Sequence, residues 1–258
     1  MRADKYFAKK YGSRTKAAEA IEKGLVLVNG APIRTKDEVR ETDEIAFIEE
    51  AQSFVSNGGY KLARAIETFD ICCKGKIFVD IGASTGGFTD CLLQNGAAKI
   101  YAVDVGESLL HESLVGNEKI VRMENTNARY LAKGDFSEQI DVVVTDVSFI
   151  SLRLIFPAIK NVLNDLGEAF VLIKPQFECE KKNIGKSGIV HTSAHEKIVE
   201  KVIGFAEENG LYPFGIVNAP VRKGKNIEYV LHLKTQSAGA LSKERISANV
   251  RRFLNEVK

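Results

Sequence analysis

The feature that most constrains this chain is a glycine-rich turn between two regular elements. The run Ile77-Phe78-Val79 leads into Asp80-Ile81-Gly82-Ala83-Ser84-Thr85-Gly86-Gly87-Phe88-Thr89, and a helical stretch follows. Such a turn lets a ligand approach the backbone closely, and it belongs to parallel α/β sheets. The surrounding pattern agrees. Residues 77–82, 99–106, 120–125, 140–148 and 169–174 read as short buried strands, and helical stretches such as 152–163 lie between most of them. That is βαβ alternation, which predicts an α/β fold with a parallel sheet. A longer helix is expected over 194–209, capped by Ser193 with Glu196 and ended by Gly210. Strands at 215–218 and 228–234 follow. Ile246, Val250, Phe253 and Val257 recur at helical spacing in the tail.

The turn also selects among ligands. A dinucleotide fingerprint needs glycine at 82, 84 and 87, but position 84 is Ser. Asp80 would repel a pyrophosphate. No Gly-Lys-Ser/Thr follows, so a Walker loop is excluded. The pattern D-x-G-x-x-x-G-G instead suits S-adenosylmethionine, whose sulfonium and ammonium welcome a carboxylate. Strand two ends in Asp104, where an acid can accept both ribose hydroxyls. Asn125 and Asn127 end strand three and stand where they can frame the adenine. The expected cofactor-binding residues are therefore Asp80, Gly82, Ala83, Ser84, Thr85, Gly86, Gly87, Phe88, Asp104, Asn127 and Asp146.

The first fifty residues follow another pattern. Tyr6, Phe7 and Tyr11 begin a short helix, and residues 13–21 read as a second one with Ser13 as its cap and Gly24 as its stop. Residues 25–28 read as a strand, Asn29-Gly30 as a tight turn, and 43–48 as another strand. The net charge of the chain is only +2, which read alone argues against a nucleic-acid partner. Counted by segment, residues 1–36 carry nine basic and three acidic side chains, and residues 37–50 carry one basic and seven acidic. The average conceals a basic, helix-rich face suited to a phosphate backbone. Its expected RNA-binding residues are Arg2, Lys5, Lys9, Arg14, Lys16 and Arg34. The expected division is a small α+β RNA-binding domain over 1–50, a linker over 51–60 containing Gly58-Gly59, and a catalytic domain over 61–258.

Four polar residues stand where a core would not want them. Lys61 starts an amphipathic helix after Gly58-Gly59-Tyr60, Asp146 ends the run Val142-Val143-Val144-Thr145, Lys174 ends Phe170-Val171-Leu172-Ile173, and Glu228 begins the strand before Tyr229. Ligand crevices of open parallel sheets lie at the carboxyl ends of the strands, so Asp146 and Lys174 should share the crevice of the glycine turn. Residues 178–190 form a polar loop that could clamp RNA with Lys181, Lys182 and Lys186; Lys186 is its expected contact.

The set Lys61, Asp146, Lys174 and Glu228 resembles the tetrad of the FtsJ-like ribose 2′-O-methyltransferases. The string Ser13-Arg14, Ala17, Ile21, Gly24, Val26, Val28, Asn29 and Gly30 resembles a small RNA-binding domain of a ribosomal protein. The strings 80–92, Asp146-Val147-Ser148-Phe149-Ile150-Ser151-Leu152, Lys174-Pro175-Gln176-Phe177-Glu178 and Gly185-Lys186-x-Gly188-Ile189-Val190 are similar to the TlyA, or hemolysin A, family of ribosomal RNA methyltransferases. The resemblance covers both domains. It implies a Rossmann-like S-adenosylmethionine-dependent sheet, transfer of a methyl group to a ribose 2′-hydroxyl of ribosomal RNA or ribosomal subunits, and catalytic roles for the four residues. A positioned lysine can stabilise the developing alkoxide or take its proton. The residues do not decide which lysine does so. His111, His191 and His195 match no acid or base position.

Other classes fit less well. Base methylation of an exocyclic amine needs an Asn/Asp-Pro-Pro-aromatic string, but the string here is Asp146-Val147-Ser148-Phe149. Carbon-five methylation needs a nucleophilic Cys, and Cys179 lies past the Lys174-Pro175 turn. No apolar run reaches the ~20 residues of a membrane span, so a membrane-lytic hemolysin is disfavoured and no membrane partner is expected. A binding-only RNA chaperone would not need the tetrad. Cys72, Cys73, Cys91 and Cys179 form neither a disulfide framework nor a metal motif. Reduced thiols, no metal and a cytoplasmic location are expected. The sequence leaves the oligomeric state open.

Overall fold

The computed structural model describes residues 1–22, 25–29, 31–47, 54–221 and 224–256. The chain divides into two compact units, Met1–Ser53 and Phe54–Lys258.

The first unit holds α1 (Ala3–Tyr6), α2 (Ala8–Tyr11) and α3 (Arg14–Glu22), with a small antiparallel sheet of β1 (Val26–Val28), β2 (Ala31–Pro32) and β3 (Ile45–Phe47) in the order β2-β1-β3. The first helical pattern is broken at Phe7, which is 2% exposed and packs with Ala3, Ala17, Ile21, Val26 and Val39. Ser13 caps α3 as expected, its Oγ accepting from the Lys16 amide at 3.1 Å. Asn29 takes a left-handed φ of 53° after β1. Gly24, Gly30 and Ile48 lie outside the described residues, as does the first part of the expected linker, 51–53.

The second unit runs α4 (Asn57–Phe69), β4 (Ile77–Ile81), α5 (Gly87–Gln94), β5 (Lys99–Val103), β6 (Ile120–Met123), β7 (Ile140–Thr145), α6 (Phe156–Val162), β8 (Leu163–Ile173), α7 (Pro175–Glu178), α8 (His195–Glu208), β9 (Tyr212–Asn218), β10 (Tyr229–Lys234) and α9 (Lys243–Glu256). Helix α4 begins at Asn57, within the segment expected as linker. Seven strands form one sheet in the order β6-β5-β4-β7-β8-β10-β9. Strands β4 to β8 are parallel, whereas β10 runs antiparallel to both β8 and β9.

The strands read as continuous apolar runs because helices cover both faces. Phe78, Val142, Val144, Phe170 and Leu172 pack with Leu62 and Ala65 of α4 and Phe88 and Leu92 of α5. Their neighbours Val79, Ile81, Val143, Val171 and Ile173 point the other way, towards Ile159 of α6, Val202 of α8 and Val250 of α9. Asp80 shares the face of Phe78, so the alternation drives a carboxylate beneath α5. Strand order reverses between β4 and β7, which places the ligand crevice at their carboxyl ends.

Two local expectations change. Strand β8 begins at Leu163 rather than 169 and absorbs a register shift opposite Ile140 and Val142. Ser193 does not cap α8. A 3-10 turn over Thr192–Ala194 precedes that helix, so its N-cap is Ala194, already at helical angles (φ −91°, ψ −18°) and without a side-chain bond. Val257 lies outside the described residues.

Candidate active site

The glycine turn is shaped by close approach. Gly82 has φ 83°, and a Cβ there would stand 3.3 Å from the Asp146 carbonyl. Gly87 is packed harder still: a Cβ would lie 2.9 Å from the Gly59 amide of α4. Ser84, which replaces the glycine of the dinucleotide pattern, is itself left-handed at φ 49°. Its amide donates to Asp104 Oδ2 at 2.9 Å, and the Gly106 amide donates to Oδ1 at 2.9 Å. These two bonds fix the Asp104 carboxylate at the mouth of a cleft of ≈ 400 Å³, which Gly82, Ser84, Asn127 and Asp146 also line. Val105, Leu109, Val147, Ile150 and Ile155 make its apolar walls. Ala83, Thr85, Gly87 and Phe88 line an adjoining recess of ≈ 150 Å³ with Ser148 and Lys174.

Two expected cofactor residues, Asp80 and Gly86, line neither hollow, and a third, Asn127, lines the cleft with its side-chain oxygen already engaged. Asp80 is wholly buried and lines neither hollow: its Oδ2 accepts from Thr89 Oγ1 at 2.7 Å, and its Oδ1 has no partner among the described residues. Burial first, then the nearby carboxylates of Asp146 and Asp104, push its pKa up to about 7 against the bonds from Thr89. Gly86 caps α5 with φ 89° beneath Leu114 instead of lining the cleft. Asn127 turns its Oδ1 to the Arg129 amide (3.2 Å) and Nε (3.1 Å). The set still fits S-adenosylmethionine. The cleft has the volume of a small-molecule site, two carboxylates, Asp104 and Asp146, stand among its polar groups, and the uncompensated carboxylate of Asp80 lies below.

A larger hollow of ≈ 710 Å³ lies at the opposite end of the sheet, lined by Lys76, Lys133, Glu138, Asp141, Asn164 and Glu168 among others. It adjoins the amino ends of β4 and β7 and has no glycine turn, so its size does not make it the site.

Beside the recess, Lys61 of α4 and the strand-end residues Asp146, Lys174 and Glu228 form one chain of ion pairs. Glu228 Oε2 lies 2.7 Å from Lys61 Nζ, Lys61 Nζ lies 3.5 Å from Asp146 Oδ2, and Asp146 Oδ1 lies 2.5 Å from Lys174 Nζ. Lys174 Nζ also donates to Ser148 Oγ at 2.7 Å and, more weakly, to the Asp146 carbonyl at 3.4 Å. The Lys174 side chain is only 10% exposed. Two positive and two negative groups balance, which makes so much buried charge tolerable.

Phe149, given no role in the sequence beyond its place in the Asp146–Leu152 string, is 91% exposed and left-handed at φ 63°. A bulky residue in that conformation is strained, and strain of this kind concentrates at functional sites. Its ring stands 5.0 Å from Phe177, and Lys174 Nζ lies 5.9 Å from the Phe177 ring. The signal in the sequence was an aromatic residue following Asp146 within a polar loop.

The expected RNA contacts separate into two groups. Lys5, Lys9 and Lys16 are exposed. Arg2 and Arg14 converge on Asp4 Oδ2 at 3.0 and 2.8 Å, and Arg34 pairs with Asp37 at 3.3 Å. Arg14 first and Arg2 second hold the Asp4 carboxyl down at about 2. In the second unit, Lys186 is exposed on a hairpin closed by the Ile184–Val190 bridge. Asn226 pins that hairpin, donating to the Gly188 carbonyl (3.0 Å) and accepting from the Val190 amide (2.8 Å). His111 caps a 3-10 turn, His191 is exposed, and His195 is buried against Tyr229 Oη at 2.8 Å. All four cysteines are free. Among the described residues, no helix is long and apolar enough to cross a membrane.

Comparison with known proteins agrees with this geometry. Residues 54–235 match the FtsJ-like methyltransferase model and residues 1–45 match the S4 domain. The chain is 41% identical to Hemolysin A of Brachyspira hyodysenteriae, over 85% of this chain and 93% of that one. It is 37% identical to the 16S/23S rRNA (cytidine-2′-O)-methyltransferase TlyA of Mycobacterium tuberculosis, over 95% and 92%. A solved structure described as "Putative hemolysin from Streptococcus thermophilus" superposes with a TM-score of 0.72 at 36% identity, covering 100% of this chain and 98% of that one. The chain belongs to the FtsJ-like methyltransferase family and carries an S4 domain at its N-terminal end.

Proposed function

We propose that the chain methylates a ribose 2′-hydroxyl of ribosomal RNA. The observation that carries this reading is the ion-pair chain Glu228–Lys61–Asp146–Lys174 beside the glycine-turn cleft, with exposed Phe149 at its rim. S-adenosylmethionine, when bound, supplies an electrophilic methyl group. Gly82, Ser84, Asp104, Asn127 and the apolar walls would hold it, with the Asp104 carboxylate as the acceptor for its ribose hydroxyls. Lys174 Nζ meets the 2′-hydroxyl oxygen and stabilises the negative charge that develops there as the hydroxyl proton passes to solvent water. Asp146 orients Lys174, Lys61 offsets the charge of Asp146, and Glu228 holds Lys61. A ribose hydroxyl is a poor nucleophile, so holding it against the methyl group supplies a large part of the rate.

The target must leave its stack to reach this recess, and Phe149 offers a ring for its base. Lys5, Lys9, Lys16 and the Asp4-braced Arg2 and Arg14 serve as RNA contacts of the S4 domain. Lys186 serves on the catalytic domain. The M. tuberculosis relative is named for cytidine, but the described residues of this pocket commit to no particular base.

The test incubates ribosomal subunits and bare ribosomal RNA with methyl-labelled cofactor. Ribose methylation protects the adjacent linkage from alkaline cleavage. A labelled site that remains alkali-sensitive would mean base methylation and sink the proposal. A second expectation concerns Phe149. Phe149→Ala weakens RNA binding by about 5–150-fold, the equivalent of ~1–3 kcal/mol of lost stacking. Cofactor affinity stays unchanged. Phe149→Gly loses the same RNA affinity yet melts no lower than the parent, because glycine accepts the left-handed angle without strain. Binding and melting curves on both variants check this.

A further inference from the structure

Glu178 is a buried carboxylate that the chemistry above does not use. It is 4% exposed and ends α7, one helical turn after Lys174. Burial raises its pKa, as expected for a charge with few compensating donors. Its two oxygens serve a single segment: Oε2 accepts from Ser151 Oγ and Oε1 from the Leu152 amide, each at 2.7 Å. The nearest cation, Lys201 of α8, donates to the Glu178 backbone carbonyl at 3.0 Å. A carboxylate is costly at such a depth, and an apolar side chain would pack there without that cost. What it gains is a fixed position for Ser151 and Leu152.

That position bears on the proposed chemistry. The loop from Asp146 to Ser151 carries Asp146, Ser148 and Phe149. Its near end is fixed by the bond from the Asp146 amide to the Ile81 carbonyl at 3.1 Å. Lys174 ties its middle through Ser148 Oγ, and Phe177 of α7 packs on the Phe149 ring. The far end is fixed by Glu178. One turn of chain, from Lys174 to Glu178, therefore grips the loop at three points.

We propose that Glu178 is a positioning residue whose buried carboxylate, bonded to Ser151 Oγ and the Leu152 amide, locks the 147–151 loop so that Ser148 and Phe149 face Lys174 and the incoming nucleotide. This rests on the reading of Lys174 and Phe149 given above. Glu178 acts through the loop and touches no reacting atom. Glutamine should serve in its place: its one carbonyl oxygen keeps the acceptor for the Leu152 amide, and its NH₂ donates to a rotated Ser151 hydroxyl.

The chain has no tryptophan, so Phe149→Trp places a single reporter on the loop. In that background, Glu178→Ala is expected to lower the fluorescence anisotropy of the introduced indole, and Glu178→Gln is expected to restore it. In the parent chain, Glu178→Ala should reduce kcat and raise KM for RNA so that kcat/KM falls by about 10–100-fold, the scale of a lost positioning contact. Glu178→Gln should stay within about threefold of the parent, and the Kd for S-adenosylmethionine should hold in both. Ser151→Ala removes the same bond from the loop side and should reproduce part of the loss if Glu178→Ala does not fold. Unchanged anisotropy with Glu178→Ala or Ser151→Ala would overturn the proposal, as would a Gln variant as defective as Ala. If ribosomal RNA proves not to be the substrate, the anisotropy measurement still decides whether Glu178 holds the loop.

Discussion

Lys174→Met is expected to lower kcat for ribose methylation by about 10²–10⁴-fold, the range spanned by loss of a positioned acid–base or charge-stabilising group. The ammonium has three protons. Ser148 Oγ at 2.7 Å accepts one, Asp146 Oδ1 at 2.5 Å is an ion-pair partner outside hydrogen-bond geometry, and the Asp146 carbonyl at 3.4 Å holds a third position only weakly. That third position is the one a ribose oxygen can claim. Methionine keeps the length of the side chain but leaves Asp146 with Lys61 as its one cation in the ion-pair chain, so the melting temperature is read beside the rate to separate lost chemistry from lost fold. Cofactor affinity should survive, because the cleft walls around Asp104 and Leu109 are separate residues. Lys61→Met should cost less, since Lys61 reaches Asp146 only at 3.5 Å and acts through it. Lys174→Arg keeps a positive charge but spreads it over a larger planar fork that cannot set one compact donor between Asp146, Ser148 and the ribose oxygen, and it should recover little of the rate. Single-turnover rates at saturating cofactor make the measurement. A Lys174→Met enzyme that keeps more than about a tenth of the parent rate would remove Lys174 from the centre of the mechanism.

The parts of the site that were legible in the sequence are those that strand ends determine. A doubly covered parallel strand must read as an apolar run, so a charge ending that run is visible, and Asp146 and Lys174 were located that way. The β4 turn was visible because the Asp146 backbone and helix α4 press on its own backbone at Gly82 and Gly87. Positions decided by tertiary pairing were not visible. Arg2 and Arg14 read as two RNA contacts, yet they share one carboxylate, Asp4, two residues from the first and ten from the second along the chain. Glu178 sits in a polar string that reads as surface, and only the fold carries it under Ser151. Phe149 carries no sequence signal of its exposure, which the left-handed turn of the loop creates by directing the ring outward. Ser193 satisfied a capping pattern, but the chain enters α8 through a 3-10 turn, and local bonding there overrides the pattern.

Asp80 yields the second large effect, and its sign is opposite to that of an ordinary paired carboxylate. Its folded pKa of about 7 stands above the ordinary aspartate value of 3.8. A raised carboxyl contributes stability that is fully present below the unfolded value and lost as pH rises through the folded one. Stability should therefore decline between about pH 4 and pH 8 by up to ~4 kcal/mol, three pH units at ~1.4 kcal/mol each. For a chain of this size that is a fall in Tm of roughly 8–16 °C. Asp80→Asn keeps an acceptor for Thr89 Oγ1 and cannot ionise, so its Tm should vary far less over the same range and exceed the parent's at pH 8. The gain in stability should come with a loss of cofactor affinity. A cation in the cleft favours the ionised form of Asp80, so the parent should bind S-adenosylmethionine more tightly as pH rises through about 7, releasing a proton on binding. Calorimetry in buffers of different ionisation enthalpy reads that proton directly, and the Asn variant should release less. The product, which has lost the sulfonium charge, should couple more weakly to the same group. If the parent's Tm is flat from pH 5 to pH 8 and binding releases no proton, Asp80 is ionised throughout and the uncompensated charge beneath the turn has a partner in solution.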